Sequence, residues 1–307
     1  MIRIPSGATD MGSDRHYPDE GPVRRVSVDA FAINSSPVTN AQFAEFVEAT
    51  GYVTVAEQPP DPALYPGAPA ENLVPGGLVF TMPPGPVDLG DYFNWWSWTP
   101  GADWRHPLGA GSDIEDLAGH PVVQVSYEDA LAYCSWAGLA LPTEAEWEFA
   151  ARGGLDGAEF AWGDDDSQET NPLANTWQGG WPYENTEVDG WTRTSPVGEF
   201  PANGYGLFDM IGNVWEWTDD WYLNERSAPN EASCCAPETR TVGTAKASLD
   251  ARQPGTPIPR KVVKGGSHLC TPQYCYRYRP AARQAQMIDT ASSHLGFRCI
   301  SRDPAVS

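Results

Sequence analysis

Residues 264–279 read Lys264-Gly265-Gly266-Ser267-His268-Leu269-Cys270-Thr271-Pro272-Gln273-Tyr274-Cys275-Tyr276-Arg277-Tyr278-Arg279. The two cysteines, Cys270 and Cys275, would stand about 140° apart on an α-helix and on opposite faces of a strand. A ligand shared by both therefore needs a turn between them, and Thr271-Pro272 is suitable turn chemistry. Thiolates are soft ligands that favour Cu(I), and two of them hold it nearly linearly with room for a third sulfur. A local disulfide, or two buried thiols without a ligand, satisfies the same spacing.

Upstream of this stretch the helix signals are clear. Thr143-Glu144-Ala145-Glu146 is a capping box opening a helix that stops at Gly153-Gly154. Thr39-Asn40-Ala41-Gln42 is another, with Phe43, Phe46 and Val47 on one apolar face and Gly51 as the stop. Ser126 caps a third helix, running through Ala130, Leu131 and Tyr133 to Trp136. His120-Pro121-Val122-Val123-Gln124-Val125 predicts a short strand. Residues 58–118 read as irregular, with Pro and Gly interrupting the aromatic run Tyr92-Phe93-Asn94-Trp95-Trp96-Ser97-Trp98. A loop of that length is usually functional. Beyond Gly154 turn signals dominate, and no repeat or flexible linker is evident. The pattern implies one α+β domain over residues 1–307, loop-rich and with little regular secondary structure.

Composition narrows the function. Gly and Pro make up about a fifth of the chain, below the roughly 25–30% of low-complexity sequence. Thirteen Trp and twelve Tyr argue against disorder. A net charge of −22 excludes nucleic acid as a partner, because phosphate binding needs clustered Lys and Arg. That acidity serves solubility, and it also suits calcium sites and attraction of basic peptides. No stretch approaches the ~18–20 apolar residues of a membrane span. Met1-Ile2-Arg3-Ile4-Pro5 lacks the apolar run of a secretory signal, so a cytoplasmic location is expected. The cysteines at 134, 234, 235, 270, 275 and 299 form no CxxC pair, which argues against structural zinc. They are too few in too long a chain to be a disulfide scaffold.

Several motifs resemble the formylglycine-generating enzymes of the sulfatase-modifying-factor family, in a bacterial aerobic form. They are Gly265-Gly266-Ser267, the Cys270/Cys275 pair, Tyr276-Arg277-Tyr278-Arg279 and Leu295-Gly296-Phe297-Arg298-Cys299. Upstream, the likeness takes in Trp104-Arg105-His106-Pro107, Leu141-Pro142-Thr143-Glu144-Ala145-Glu146-Trp147-Glu148, Asn203-Gly204-Tyr205-Gly206-Leu207 and Gly212-Asn213-Val214-Trp215-Glu216-Trp217. The middle motifs also occur in non-oxidase relatives and specify the fold, which is related to C-type lectin-like folds. The cysteine pair beside Ser267 is the specific part. The resemblance implies copper-dependent oxidation by O2, with a reductant, of a cysteine in a Cys-x-Pro-x-Arg motif of a sulfatase-type protein. The product would be Cα-formylglycine, formed by hydrolysis of a thioaldehyde. Cys270 and Cys275 would hold Cu(I), with the substrate thiolate joining them. Ser267 and Tyr274 would hydrogen-bond the oxygen or the substrate sulfur, and Trp215 would wall the pocket.

The resemblance implies further residues. Asp61 would pair with the substrate Arg and Trp95 would lie in the substrate groove, whereas Pro37 departs from a second acidic position there. One structural Ca2+ would take the Asn175 and Asp189 side chains with the Thr176 and Trp191 carbonyls. A second would take Asp209 and Glu216 with the Gly212 and Val214 carbonyls. Cys134 and Cys299 match a disulfide of secretory relatives. A second such bridge would need cysteines where Ala151 and Pro280 stand, so a pair of thiols fits as well as a bridge. Two alternatives stand beside this reading. One is a non-haem iron sulfoxide synthase, disfavoured by five His in no iron-binding arrangement. The other is a non-catalytic, calcium-stabilised lectin-like module, disfavoured by the cysteine pair.

Overall fold

The computed structural model describes residues 1–166, 170–223, 243–253 and 255–303. All three expected helices form where their caps place them. They are α1 (Asn40–Thr50), α2 (Tyr127–Ala137) and α3 (Glu144–Arg152). At each N-cap, Thr39, Ser126 or Thr143, the hydroxyl accepts a backbone N–H three residues on. The side chain at that third position closes the box: Gln42, Asp129 or Glu146. Such reciprocal bonds satisfy donors that every helix start leaves orphaned.

The strands are β1 (Ile2–Ile4), β2 (Gly7–Met11), β3 (Arg24–Val28), β4 (Phe31–Ile33), β5 (Gly76–Phe80) and β6 (Trp96–Pro100). After the helices come β7 (Trp215–Trp221), β8 (Arg260–Lys264), β9 (Arg283–Met287), β10 (Leu295–Gly296) and β11 (Ile300–Ser301). Four of them form the principal sheet in the order β10-β7-β8-β9. A three-stranded sheet, β1-β4-β11, brings the two ends of the domain together, and β2-β3 and β5-β6 are separate antiparallel pairs. The core unites Phe43, Trp147, Trp217, Phe297 and Ile300, all fully buried. This is the expected loop-rich α+β architecture. Among the described residues, no helix is long and apolar enough to cross a membrane.

Two local expectations are corrected. Residues 120–125 are buried but join no sheet: Val122 N–H donates to Val38 and Gln124 N–H to Ser292, each at 2.9 Å. Gln124 sits at φ 59°, which breaks the extended run. A β-branched apolar stretch thus reads as a strand while its backbone bonds are satisfied singly by neighbouring loops. The irregular reading of residues 58–118 is also incomplete. Trp96 and Trp98 lie on β6, paired with Phe80 and Leu78 of β5.

Helix α3 is joined to the principal sheet by buried charge. Lys264 Nζ lies 2.9 Å from Glu148 Oε2, with both side chains fully buried. Glu148 Oε1 accepts from Arg152 at 2.8 Å and from the Gly12 N–H at 2.8 Å. One step along, Arg283 Nε donates to Glu144 Oε1 at 2.8 Å. Lys264 and Arg283 face each other across β8 and β9. Removing one partner of a buried pair strands the other charge. Glu148→Ala, which takes the nearest carboxylate from Lys264 and Arg152 and leaves Lys264 with Glu144 at 3.8 Å, should therefore lower unfolding free energy by about 3–5 kcal/mol in a urea titration. A loss under about 1 kcal/mol, the size of a surface pair, would show that these charges are solvated.

Candidate active site

The strand pair β8-β9 is closed by the connection 265–282, which carries both cysteines. It starts at Gly265 and Gly266, with φ 95° and 70°. A Cβ on Gly265 would come within 3.0 Å of the Met210 carbonyl, and one on Gly266 within 2.9 Å of the Arg277 carbonyl. Glycine is needed there for backbone conformation and for space. The chain then turns so that the Cys270 N–H donates to the Ser267 carbonyl at 2.9 Å. Thr271 and Cys275 exchange both backbone bonds at 3.0 Å, making the turn expected at Thr271-Pro272.

That turn brings Cys270 Sγ and Cys275 Sγ to 3.3 Å. The two are free thiols; a disulfide bond would be about 2.05 Å long. Cys270 is buried and Cys275 half-buried. Burial opposes ionisation of Cys270, yet its pKa is lowered by the Cys275 thiol, the Ser267 N–H 3.4 Å from its sulfur, and the Arg277 charge. The Cys275 thiol is pushed up, first by its bond to Cys270 and then by burial. Of the two thiols, Cys270 is therefore the more readily ionised. Ser267 is buried against that sulfur, and its Oγ accepts from the Leu269 N–H at 3.2 Å.

Beside the pair lies a cleft of about 800 Å³. Its lining is aromatic at Tyr92, Phe93, Trp96 and Trp98, and polar and uncharged at Gln284, Gln286, Ser292 and His294. Tyr274, next to Cys275, is part of the lining and stacks on Trp181 at 5.4 Å. Tyr274 thus lies in the cleft lining one residue before Cys275. Trp95 and Trp215 are placed differently from the expectation. Trp95 is fully buried beneath Tyr274, edge-on at 5.4 Å, so it supports the cleft and does not line it. Trp215 is a core residue on β7, opposite Leu295 of β10, and is not part of this cleft's lining. Asp61 is exposed beside Pro60 of the cleft lining, with Oδ1 accepting from the Ala63 N–H at 2.9 Å.

Sequence reasoning missed the polar side of the cleft. Its only local signal is the alternation Gln284, Ala285, Gln286 on β9, which puts both amides on one face. It also missed the tether of the return limb. Arg279 makes a bidentate pair with buried Glu20 at 2.6 and 2.8 Å, and Arg277 lies 3.2 Å from Asp19. Partners so distant in sequence leave no periodic trace.

The first expected calcium set is gathered in one place. Asp189 Oδ1 accepts from the Trp191 N–H at 2.9 Å and Oδ2 from the Thr176 N–H at 3.3 Å. Asn175 Oδ1 is buried without a hydrogen-bond partner, a feature that a cation would satisfy. In the second set, both Glu216 oxygens are taken by Arg298, at 2.7 and 2.8 Å, and Trp147 also donates at 2.8 Å. Asp209 is buried and its pKa is raised by burial. Left-handed backbone at Asp209, Gly212 and Asn213 folds this segment back on itself, and Val214 is buried in it. Asp209 Oδ2 accepts from the Gly198 N–H at 2.8 Å. Among the described residues no three His, Cys, Asp or Glu side chains converge as a metal site. An ion here would complete its shell with carbonyls, amides or a further ligand.

Cys134 and Cys299 Sγ are 3.3 Å apart and unbonded, deep in the core. Cys234 and Cys235 lie outside the described residues.

Comparison with known proteins agrees with this geometry. Residues 1–303 match the family described as Sulfatase-modifying factor enzyme 1-like domain. The chain belongs to that family. It is 58% identical to a formylglycine-generating enzyme of Mycobacterium tuberculosis, over 99% of this chain and 98% of that one. It is 44% identical to one from Thermomonospora curvata, over 99% and 93% of the two chains. Among solved structures, PvdO from Pseudomonas aeruginosa superposes with a TM-score of 0.61 at 24% identity, covering 97% of this chain and 92% of that one. That likeness concerns the fold.

His294 packs against Trp96 with ring centroids 4.7 Å apart, and its Nδ1 is hydrogen-bonded to the Ser292 hydroxyl. Burial, followed by repulsion from His268, lowers its pKa to about 3. The folded protein should therefore keep this ring neutral throughout the acid range where a free histidine, at about 6.5, takes up its proton. Imidazole nitrogen shifts recorded from pH 8 to pH 5 should stay at neutral-ring values. A midpoint near 6.5 would mean that the ring is solvated and the cleft gains positive charge on acidification.

Proposed function

We propose that this protein converts a cysteine of a sulfatase-type substrate, in a Cys-x-Pro-x-Arg segment, to Cα-formylglycine, using Cu(I), O2 and an external reductant. The observation that carries this reading is the unbonded thiol pair, Cys270 and Cys275, 3.3 Å apart beside the cleft. Its donor set fits a soft monovalent ion, with one sulfur already biased to the thiolate. Bound copper would supply a place for the substrate thiolate and one-electron exchange with O2.

The chain's own residues do the rest. Ser267 and the Ser267 N–H hold Cys270 Sγ in place. Tyr274 presents its hydroxyl where the cleft meets the pair. The aromatic side of the cleft receives the apolar surface of the segment, proline included, while Gln284 and Gln286 meet its backbone amides. Such a wall suits an extended peptide, whose amides would otherwise be buried unpaired. Asp61, at the rim, supplies the carboxylate for the segment's Arg, a planar fork that pairs well with it. Calcium at the two loop sites would act on the fold, since metal binding offsets the cost of ordering loops.

Copper-loaded protein should convert a Cys-x-Pro-x-Arg peptide to the aldehyde only when O2 and a reductant are present, as read by mass. Replacing the peptide Arg by Ala should weaken binding by about 1.5–3 kcal/mol. Cys275→Ser should abolish tight binding of about one Cu(I) per chain. Unchanged copper affinity in that variant would sink the mechanism. No aldehyde from any such peptide would favour the non-catalytic, lectin-like reading.

Calcium should have a different signature. Chelation should lower the melting temperature without removing copper ligation, and Asp189→Ala or Asp209→Ala should blunt that loss. A melting temperature indifferent to chelation, in protein free of calcium by elemental analysis, would make both sites ordinary turns.

A further inference from the structure

Residues 59–74 cross one side of the cleft as a strap. Pro60, Tyr65, Ala68, Asn72 and Leu73 from this segment line it. Its backbone is a chain of local turns: Leu64 N–H to Asp61, Tyr65 to Pro62, Ala68 to Tyr65, Asn72 to Pro69 and Leu73 to Ala70, between 2.9 and 3.3 Å. Both ends are anchored. Before it, the Val55 N–H donates to Asp129 at 3.0 Å and Arg105 meets Glu57 at 3.1 Å. After it, the Gly101 N–H donates to the Pro75 carbonyl at 2.9 Å and β5 begins.

Between those anchors, one hydrogen bond joins the strap to the rest of the described residues: the Tyr65 hydroxyl donates to Asp289 Oδ2. The bond matters to both partners. Asp289 Oδ1 is buried without a partner, so Tyr65 is the side chain that compensates this carboxylate. Asp289 lies in the connection from β9 to β10, next to Thr290 of the cleft lining. Asp289 thus sits on the β9–β10 connection, and Tyr65 on the strap. Asp61 and Tyr65 share overlapping turns, through the Leu64–Asp61 and Tyr65–Pro62 bonds. Whatever fixes Tyr65 also fixes Asp61.

We propose that Asp289 is a positioning residue for peptide binding: through the Tyr65 hydroxyl it latches the strap 59–74, and with it Asp61, over the cleft. This rests on the peptide-oxidising reading above. A strap held by one bond is in equilibrium with an open form, and apparent affinity scales with the fraction that is competent to bind. The latch touches neither the thiol pair nor the reacting sulfur. Its loss should act on binding and leave the chemical step alone.

The test has two arms. In hydrogen exchange on the protein without peptide, Tyr65→Phe should speed exchange of the Leu64, Ala68, Asn72 and Leu73 amides by about tenfold. Val262 and Val263 in β8 should be unaffected. In turnover of the Cys-x-Pro-x-Arg peptide, Asp289→Ala should raise KM about tenfold while kcat stays within about twofold. Asp289→Asn, which keeps an acceptor for the phenol, should recover part of that loss and guards against a variant that fails to fold. Unchanged strap exchange in Tyr65→Phe would overturn the latch. Faster exchange with KM unchanged in Asp289→Ala would overturn its role in positioning, and a fall in kcat alone would move Asp289 into the chemistry. If the wild-type protein converts no peptide, the functional reading falls, and the exchange arm still decides whether the latch exists.

Discussion

The site depends on two cations placed where a protein interior least tolerates them. Lys264 ends β8, Arg283 begins β9, and both are buried at the base of the connection that carries Cys270 and Cys275. Ions of this size lose several kcal/mol of hydration each on burial, and only close pairing recovers it. Glu148 and Glu144 provide that pairing, one helical turn apart on α3. Because each carboxylate is the close partner of a buried cation, moving α3 away from the strand pair would cost both contacts. The capping box at Thr143 thus has a consequence beyond the helix: it sets the phase of the two acids that hold the base of the site.

The same logic continues up the loop. Arg279 is paired with Glu20 and Arg277 with Asp19, so the return limb is fastened to the N-terminal segment as the base is fastened to α3. The protein is strongly acidic, yet the surroundings of the thiols are rich in guanidinium. Arg277 lowers the pKa of Cys270 while remaining neutralised by Asp19. An acidic chain thus keeps a guanidinium, itself paired, beside its buried thiols. Positive charge beside a cysteine favours its thiolate form.

What the sequence made legible follows from the range of each interaction. The three helices and the Thr271-Pro272 turn were readable because caps and turns are local, each settled within about five residues. The cysteine pair was readable as a pair only because that turn lies between its members. The strand at 120–125 misled, since apolar β-branched residues report burial and not which backbone groups pair. Trp95 was assigned to the groove and proved to be its support. In a run of seven residues holding five aromatics, which rings face a cleft depends on β5, a partner that the run itself does not encode. The polar side of the cleft and the Arg279–Glu20 tether join segments far apart in the chain. Nothing in either segment announces the other.

These differences in tethering divide the site by mechanical role. The connection 265–282 is held at its base, at its internal turn and along its return, so the sulfurs have little freedom to separate. The strap 59–74 carries Asp61 and lines the opposite side of the cleft, yet it is built from turns that bond within themselves. Local stability in a folded protein follows the number of bonds that must break together. On the copper-binding reading proposed above, the two sulfurs would gain from that rigidity, because every lost degree of freedom would otherwise be spent on binding. On the peptide-oxidising reading proposed above, the groove cannot be closed in the same way. Its wall must open far enough for an extended chain to enter, and then return its carboxylate to one place. A wall tied by a single bond at its middle meets both demands, whereas a wall hydrogen-bonded along its length would meet only the second.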